Sequence, residues 1–152
     1  MFRNLRPYLI GLGLVVAAAG AFLGVVAPLF KTSGPPRAEV VGLVNTQLKF
    51  GQSGSLPVSI DNVGDSLIQP LCIKASFSTA VDVQYVVFDN NYKYPFSNGH
   101  ACGGALVGQE TINVTFMVTP HTAGPLQVTV VAEQGTTAIS EPLHATVAVV
   151  NG

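Results

Sequence analysis

The chain changes its hydrophobic rhythm once. From Tyr8 to Phe30 it reads YLIGLGLVVAAAGAFLGVVAPLF, 23 residues without a charged side chain. As a helix at about 1.5 Å per residue this run is roughly 35 Å long, against a hydrocarbon core of about 30 Å. Pro7 suits a first helical turn, Pro28 ends or kinks one, and Tyr8 and Phe30 stand where aromatic residues mark the two interfaces. The pattern predicts a transmembrane or filament-core helix over 8–30, behind a short basic segment 1–7 that carries Arg3 and Arg6. A secretory signal cleaved near Ala19-Gly20-Ala21 and a buried hydrophobic hairpin are the competing readings. Gly13, Ala17 and Ala21 recur at intervals of four, as do Gly20 and Gly24, a spacing that lets helix backbones approach closely. They are the expected helix-packing residues.

Residues 31–37, Lys-Thr-Ser-Gly-Pro-Pro-Arg, form a Gly/Pro linker that cannot continue a helix. From about Glu39 the period becomes two. Val58 and Ile60 alternate with Ser59 and Asp61, and Val81, Val83, Tyr85 and Val87 share a face. Ile112, Val114, Phe116 and Val118 repeat the alternation, as do Leu126, Val128 and Val130, then Leu143, Ala145, Val147 and Val149. These are strands buried on one face. Turn signals divide them at Gly51–Gly54, at Asn62-Val63-Gly64-Asp65, at Asn98-Gly99, between Pro120 and Pro125, and at Gly135. The class is mainly β. About seven short strands over 38–152 predict an antiparallel β-sandwich, with a small barrel as the alternative.

Composition sharpens this. Of 152 residues, 48% are hydrophobic and 10% charged, for a net charge of -1. That excludes a disordered chain, which is charge-rich and apolar-poor. Seven scattered Lys and Arg argue against a nucleic-acid partner. The apolar run explains only part of the deficit, because beyond Lys31 four cations face eight acids. Polar faces are built from Ser, Thr, Asn and Gln, as expected of a surface that neighbours contact, glycans cover, or an unusual environment shapes.

Candidate chemistry is sparse. Cys72 and Cys102 would close a loop of about thirty residues, and a disulfide there stabilises by roughly 3–4 kcal/mol in the chain-entropy model. Free buried thiols and metal ligation are the alternatives. A disulfide implies an oxidising compartment. Asn113-Val114-Thr115 is a glycosylation sequon on the polar face of its strand. The loop Asp89–His100 carries Tyr92, Tyr94 and Phe96 at alternate positions; aromatics on a constrained loop make good contact anchors, the alternative being a strand-like hairpin edge whose aromatics cover the sandwich end. A copper site would draw on Cys102, Met117, His121 and His100, but their order and spacing do not fit. Neither a phosphate loop nor a nucleophile elbow is present, and no other catalytic constellation emerges. No cofactor and no small-molecule substrate is expected.

Two resemblances follow. Leu48–Gly64 carries a Gly-x-x turn, an alternating strand and a terminal Asn-x-Gly; Val107–Val118 and Ala123–Ala132 carry a polar turn, a strand, and a Gly that starts the next strand. This resembles the CARDB-like group of Ig-like domains of bacterial and archaeal surface proteins, which implies an Ig-like sandwich and an extracytoplasmic setting. A hydrophobic N-terminal helix leading directly into a β-sandwich is similar to archaeal type IV pilins, whose helices pack into a filament core. Here Arg6 is followed by Pro7-Tyr8-Leu9-Ile10 before Gly11, which departs from the pilin processing pattern. The expectation is a non-catalytic cell-surface or filament subunit. Its N-terminus would be cytoplasmic or processed, and it would associate through the helix with lipid and with copies of itself or other membrane subunits. A single-pass accessory subunit of a respiratory or transport complex is the alternative, and a copper-binding electron carrier a weaker one.

Overall fold

The computed structural model describes residues 34–43, 46–89 and 91–152. The helix expected over 8–30, with Gly13, Ala17, Gly20, Ala21 and Gly24, lies outside the described residues.

The strands are β1 (Ala38–Gly42), β2 (Gln47–Lys49), β3 (Gly54–Asn62), β4 (Leu71–Phe77), β5 (Val81–Val87), β6 (Lys93–Tyr94), β7 (His100–Cys102), β8 (Thr111–Pro120), β9 (Gly124–Gln134), β10 (Thr137–Ala138) and β11 (Leu143–Val150). They form two sheets. One runs β1-β3-β8-β5-β6; the other runs β2-β11-β9-β4-β7, with β10 paired to β9. In Ig terms β1, β3, β8 and β5 take the A, B, E and D places, and β4, β9 and β11 the C, F and G places. The expected sandwich is therefore present, with two refinements. Short strands raise the number among the described residues above seven, and β2 pairs with β11 in parallel, so the sandwich is not purely antiparallel.

Period two carries through to the core. Leu56, Val58 and Ile60 of β3, Ile112 to Val118 of β8, and Leu126 to Ala132 of β9 bury alternate side chains between the sheets. Each large apolar side chain so buried contributes on the order of 1.5–3 kcal/mol. β5 departs from the simple alternation. Its register against β8 shifts between Val83 and Tyr85, a bulge. Val81 and Val83 pack on the core, but beyond the bulge Val86 and Phe88 take over. Tyr85, expected on the core face, instead lies beneath the Lys93 ammonium, 4.4 Å from its ring centroid.

One end of the sandwich is tied together by a buried side chain. Asn62 ends β3 at 2% exposure. Its amide nitrogen donates to the carbonyls of Ser66 (2.8 Å), Val107 (3.0 Å) and Leu106 (3.2 Å), and its amide oxygen accepts from the Gly64 N–H at 3.1 Å. The main chain adds Asn62 N–H to Glu110 O and Gln109 N–H to Asn62 O. One residue thus joins the β3–β4 loop to the loop before β8. The incoming chain joins the same knot: the Ser66 hydroxyl donates to Gly34 O, and the Val63 N–H to Arg37 O at 3.1 Å. The last four residues of the expected 31–37 linker therefore belong to the folded unit, which begins at Gly34.

Gly108 closes the knot by contact. A Cβ there would sit 2.8 Å from the backbone of Asp65, too near for side-chain motion to relieve. Gly108→Ala is expected to destabilise the domain by roughly 1–3 kcal/mol through overpacking. Thermal unfolding of the variant checks this.

Candidate functional site

The aromatic loop divides. The rings of Tyr94 and Phe88 meet edge to face with centroids 5.3 Å apart, and Phe96 meets Phe116 likewise at 5.9 Å. Both Tyr94 and Phe96 pack against the core from the sheet edge. Only Tyr92 of the three is turned out, at 70% exposure. The three-residue contact surface expected from alternation is thus reduced to Tyr92. The physical reason is local. Tyr92 follows Asn91, which is left-handed (φ 61°), and stands ahead of β6, whereas pairing of β6 with Val86 and Val87 fixes Tyr94 against the core. Gly103 receives the Tyr94 ring, since a Cβ there would come within 2.7 Å of it.

Cys72 and Cys102 are joined by a disulfide across the paired strands β4 and β7, in direct register. Leu71, Ile73 and Ala75 of β4 face the core, so Cys72 and Lys74 lie on the outer face of the sheet. Glu133 of β9 is the register partner of Cys72 on its other side, and Ala138 of β10 follows in the same row. The result is an outer-face row of Cys102, Cys72, Glu133 and Ala138. Although it sits on an outer face, Glu133 is only 5% exposed. Its Oε2 lies 2.9 Å from His100 Nδ1, outside hydrogen-bonding geometry, so the attraction is that of an ion pair when the imidazole is protonated. Sequence reading did not find this pairing, because Glu133 and His100 are brought together only by the β7-β4-β9 order.

The remaining histidines are elsewhere. His121 Nε2 meets Asp82 Oδ2 at 2.7 Å at the opposite end from Asn62, and His144 Nδ1 contacts Thr129 Oγ1 at 3.0 Å on the outer face of β11 and β9. The weak copper option, which needed Cys102 beside His121 and Met117, is not assembled by the fold: the Cys102 sulfur is bonded to Cys72. Among the described residues no three His, Cys, Asp or Glu side chains form a metal-holding group.

Asn113 lies exposed on the outer face of the other sheet, among side-chain hydrogen bonds, and its main-chain N–H donates to Asp89 Oδ1 at 3.0 Å. Ser59 Oγ donates to Asn113 Oδ1 at 2.9 Å, and Thr111 Oγ1 to Asp61 Oδ1 at 2.7 Å. Gln84 Nε2 donates to Ser53 Oγ at 2.6 Å. The bond to Ser59 uses the amide oxygen of Asn113, whereas a glycan is attached through the nitrogen.

No family model and no curated protein matches the chain. Solved structures do. The crystal structure of a CARDB domain from Pyrococcus furiosus, in complex with di-metal ions, is 16% identical at a TM-score of 0.50, covering 81% of this chain and 98% of that one. The solution structure of the same domain is 15% identical at a TM-score of 0.50, covering 77% and 95%. A cohesin module from a Clostridium perfringens family 33 glycoside hydrolase is 13% identical at a TM-score of 0.50, covering 77% and 98%. At such identities the likeness establishes the fold alone, and at that level the CARDB-like resemblance read from strands and turns holds.

Proposed function

We propose that this is a non-catalytic structural protein that displays a disulfide-bonded Ig-like sandwich on the extracytoplasmic side of a membrane, held there by the apolar run 8–30. One conjunction carries the reading. A 23-residue uncharged run ends at Phe30, and a sandwich that carries the Cys72–Cys102 bond begins at Gly34. Disulfides persist in oxidising compartments, and a run of this length suits a membrane span or an assembly core. The faces support contact in preference to catalysis. They present hydroxyl and amide ladders.

In this reading the protein is a cell-surface or pilin-like filament subunit. Helix packing through Gly13, Ala17, Gly20, Ala21 and Gly24 drives assembly, exposed Tyr92 adds to lateral contact, and Asn113 carries a glycan. The test is extraction of native membranes in mild detergent, followed by mass spectrometry of the purified assembly. One repeated chain is expected. Stoichiometric recovery with unlike membrane proteins would overturn the filament reading in favour of an accessory subunit.

A further inference from the structure

The end of the sandwich at which the chain enters is apolar where loop ends are ordinarily polar. Val63 is 48% exposed, Leu67 50% and Val107 55%. All three belong to the knot around Asn62: Val63 follows it, Leu67 follows the Ser66 carbonyl it binds, and Val107 supplies another bound carbonyl. Gln109 Nε2 further ties Gly64 O at 3.2 Å. Pro35, also exposed, belongs to the entering segment that Ser66 and Val63 hold. These side chains are presented on a braced platform, so little ordering entropy opposes their burial against something else.

Chain length outside the described unit says what that something is. Phe30 and Gly34 are four residues apart, and four extended residues reach at most about 14 Å. The headgroup layer on each side of a bilayer is roughly 5–8 Å deep. A membrane span over 8–30 would keep Gly34 within about 14 Å of the hydrocarbon edge, a reach comparable with the headgroup layer. We propose that Val63, Leu67 and Val107 form a lipid-contacting platform that seats the domain on the membrane surface. The proposal rests on the membrane-anchored reading above.

Charge at this end favours an apolar over an electrostatic contact. In charge count the entering segment's Lys31 and Arg37 are balanced by Asp65 and Glu110, so no net positive charge at this end supplies attraction to anionic headgroups. The contact is expected to be indifferent to anionic lipid and to salt. The opposite end carries the exposed His121–Asp82 pair and one large exposed apolar side chain, Phe50.

The chain contains no tryptophan, so a single introduced one reports its own surroundings. Val107→Trp, Leu67→Trp and Phe50→Trp are made in the full chain and reconstituted into vesicles of phosphatidylcholine with brominated acyl chains. Trp at 107 or 67 is expected to be blue-shifted and quenched about twofold or more relative to Trp at 50, in low and high salt alike. Vesicle flotation is scored on the same samples. Flotation with equal quenching at all positions would overturn the platform while leaving the anchor intact. Failure to float would overturn the anchor reading and the platform with it. A blue shift without quenching would assign this end to a protein partner and overturn the lipid contact. Leu67→Trp keeps the test decisive if Val107→Trp fails to fold.

Discussion

Asn62→Ala is expected to lower the stability of the domain by roughly 2–4 kcal/mol, with the entry end opening first. The amide of Asn62 serves three carbonyls and one N–H that link two loops. Alanine removes the bonds to the Ser66 carbonyl and the Gly64 N–H and leaves the Leu106 and Val107 carbonyls only their main-chain bonds from Ile68 and Glu110; each unsatisfied buried group costs about 1–3 kcal/mol, and partial hydration recovers some of it. Asn62→Asp is expected to be the more damaging change at neutral pH. An ionised carboxylate only accepts, so the position of the amide nitrogen would place an oxygen against three carbonyl oxygens. Far-ultraviolet circular dichroism melts of the full chain rank the variants. Hydrogen exchange should show Ser66, Leu67 and the Leu106–Gln109 stretch losing protection before the β3–β8 ladder. Equal stability of Asn62→Ala and the parent chain would mean that the knot is held by its backbone bonds alone.

Replacing both Cys72 and Cys102 by alanine is expected to destabilise by roughly 3–4 kcal/mol, from the entropy regained by an unfolded chain no longer closed over a separation of 30 residues. A second, local consequence comes from the outer-face row. β7 is only three residues long, and without the covalent tie its hold on β4 is reduced to short-range pairing. Loosening β7 would also move His100 away from Glu133 and wet a carboxylate that is now nearly covered. Limited proteolysis should then cleave between 89 and 103 first. Reductant is expected to lower the melting temperature of the parent chain and to leave the double variant unchanged. A reductant-insensitive parent would contradict the contribution assigned to the bond.

The strands were legible because burial on one face forces alternation, which β3, β8 and β11 obey and β9 obeys up to the covered Glu133. Where a local conformation resets the alternation, pattern alone points the wrong way. The bulge between Val83 and Tyr85 turns Tyr85 outward, and Tyr92 stands ahead of the paired strand β6 and points out, whereas Tyr94 and Phe96 pack inward. The two cysteines were recognisable as a pair, but their place on an outer face beside Glu133 depends on strand order, which periodicity does not encode. The Asn-x-Gly pattern marks Asn62 only as part of a turn signal. Its side chain instead organises two loops about forty-four residues apart, a long-range property that Asn-x-Gly does not reveal. The apolar loop residues Val63, Leu67 and Val107 carry no periodic signal, and only their shared position around Asn62 makes them a surface.

The most direct single measurement is the intact, unreduced mass of the protein extracted from a membrane fraction. A membrane-held, extracytoplasmic sandwich predicts a chain that retains residues 8–30, with its sandwich lighter by two hydrogen atoms for the Cys72–Cys102 bond and heavier by a glycan on Asn113 where one is attached. A soluble chain that begins beyond residue 21, or one with both thiols free, would contradict it.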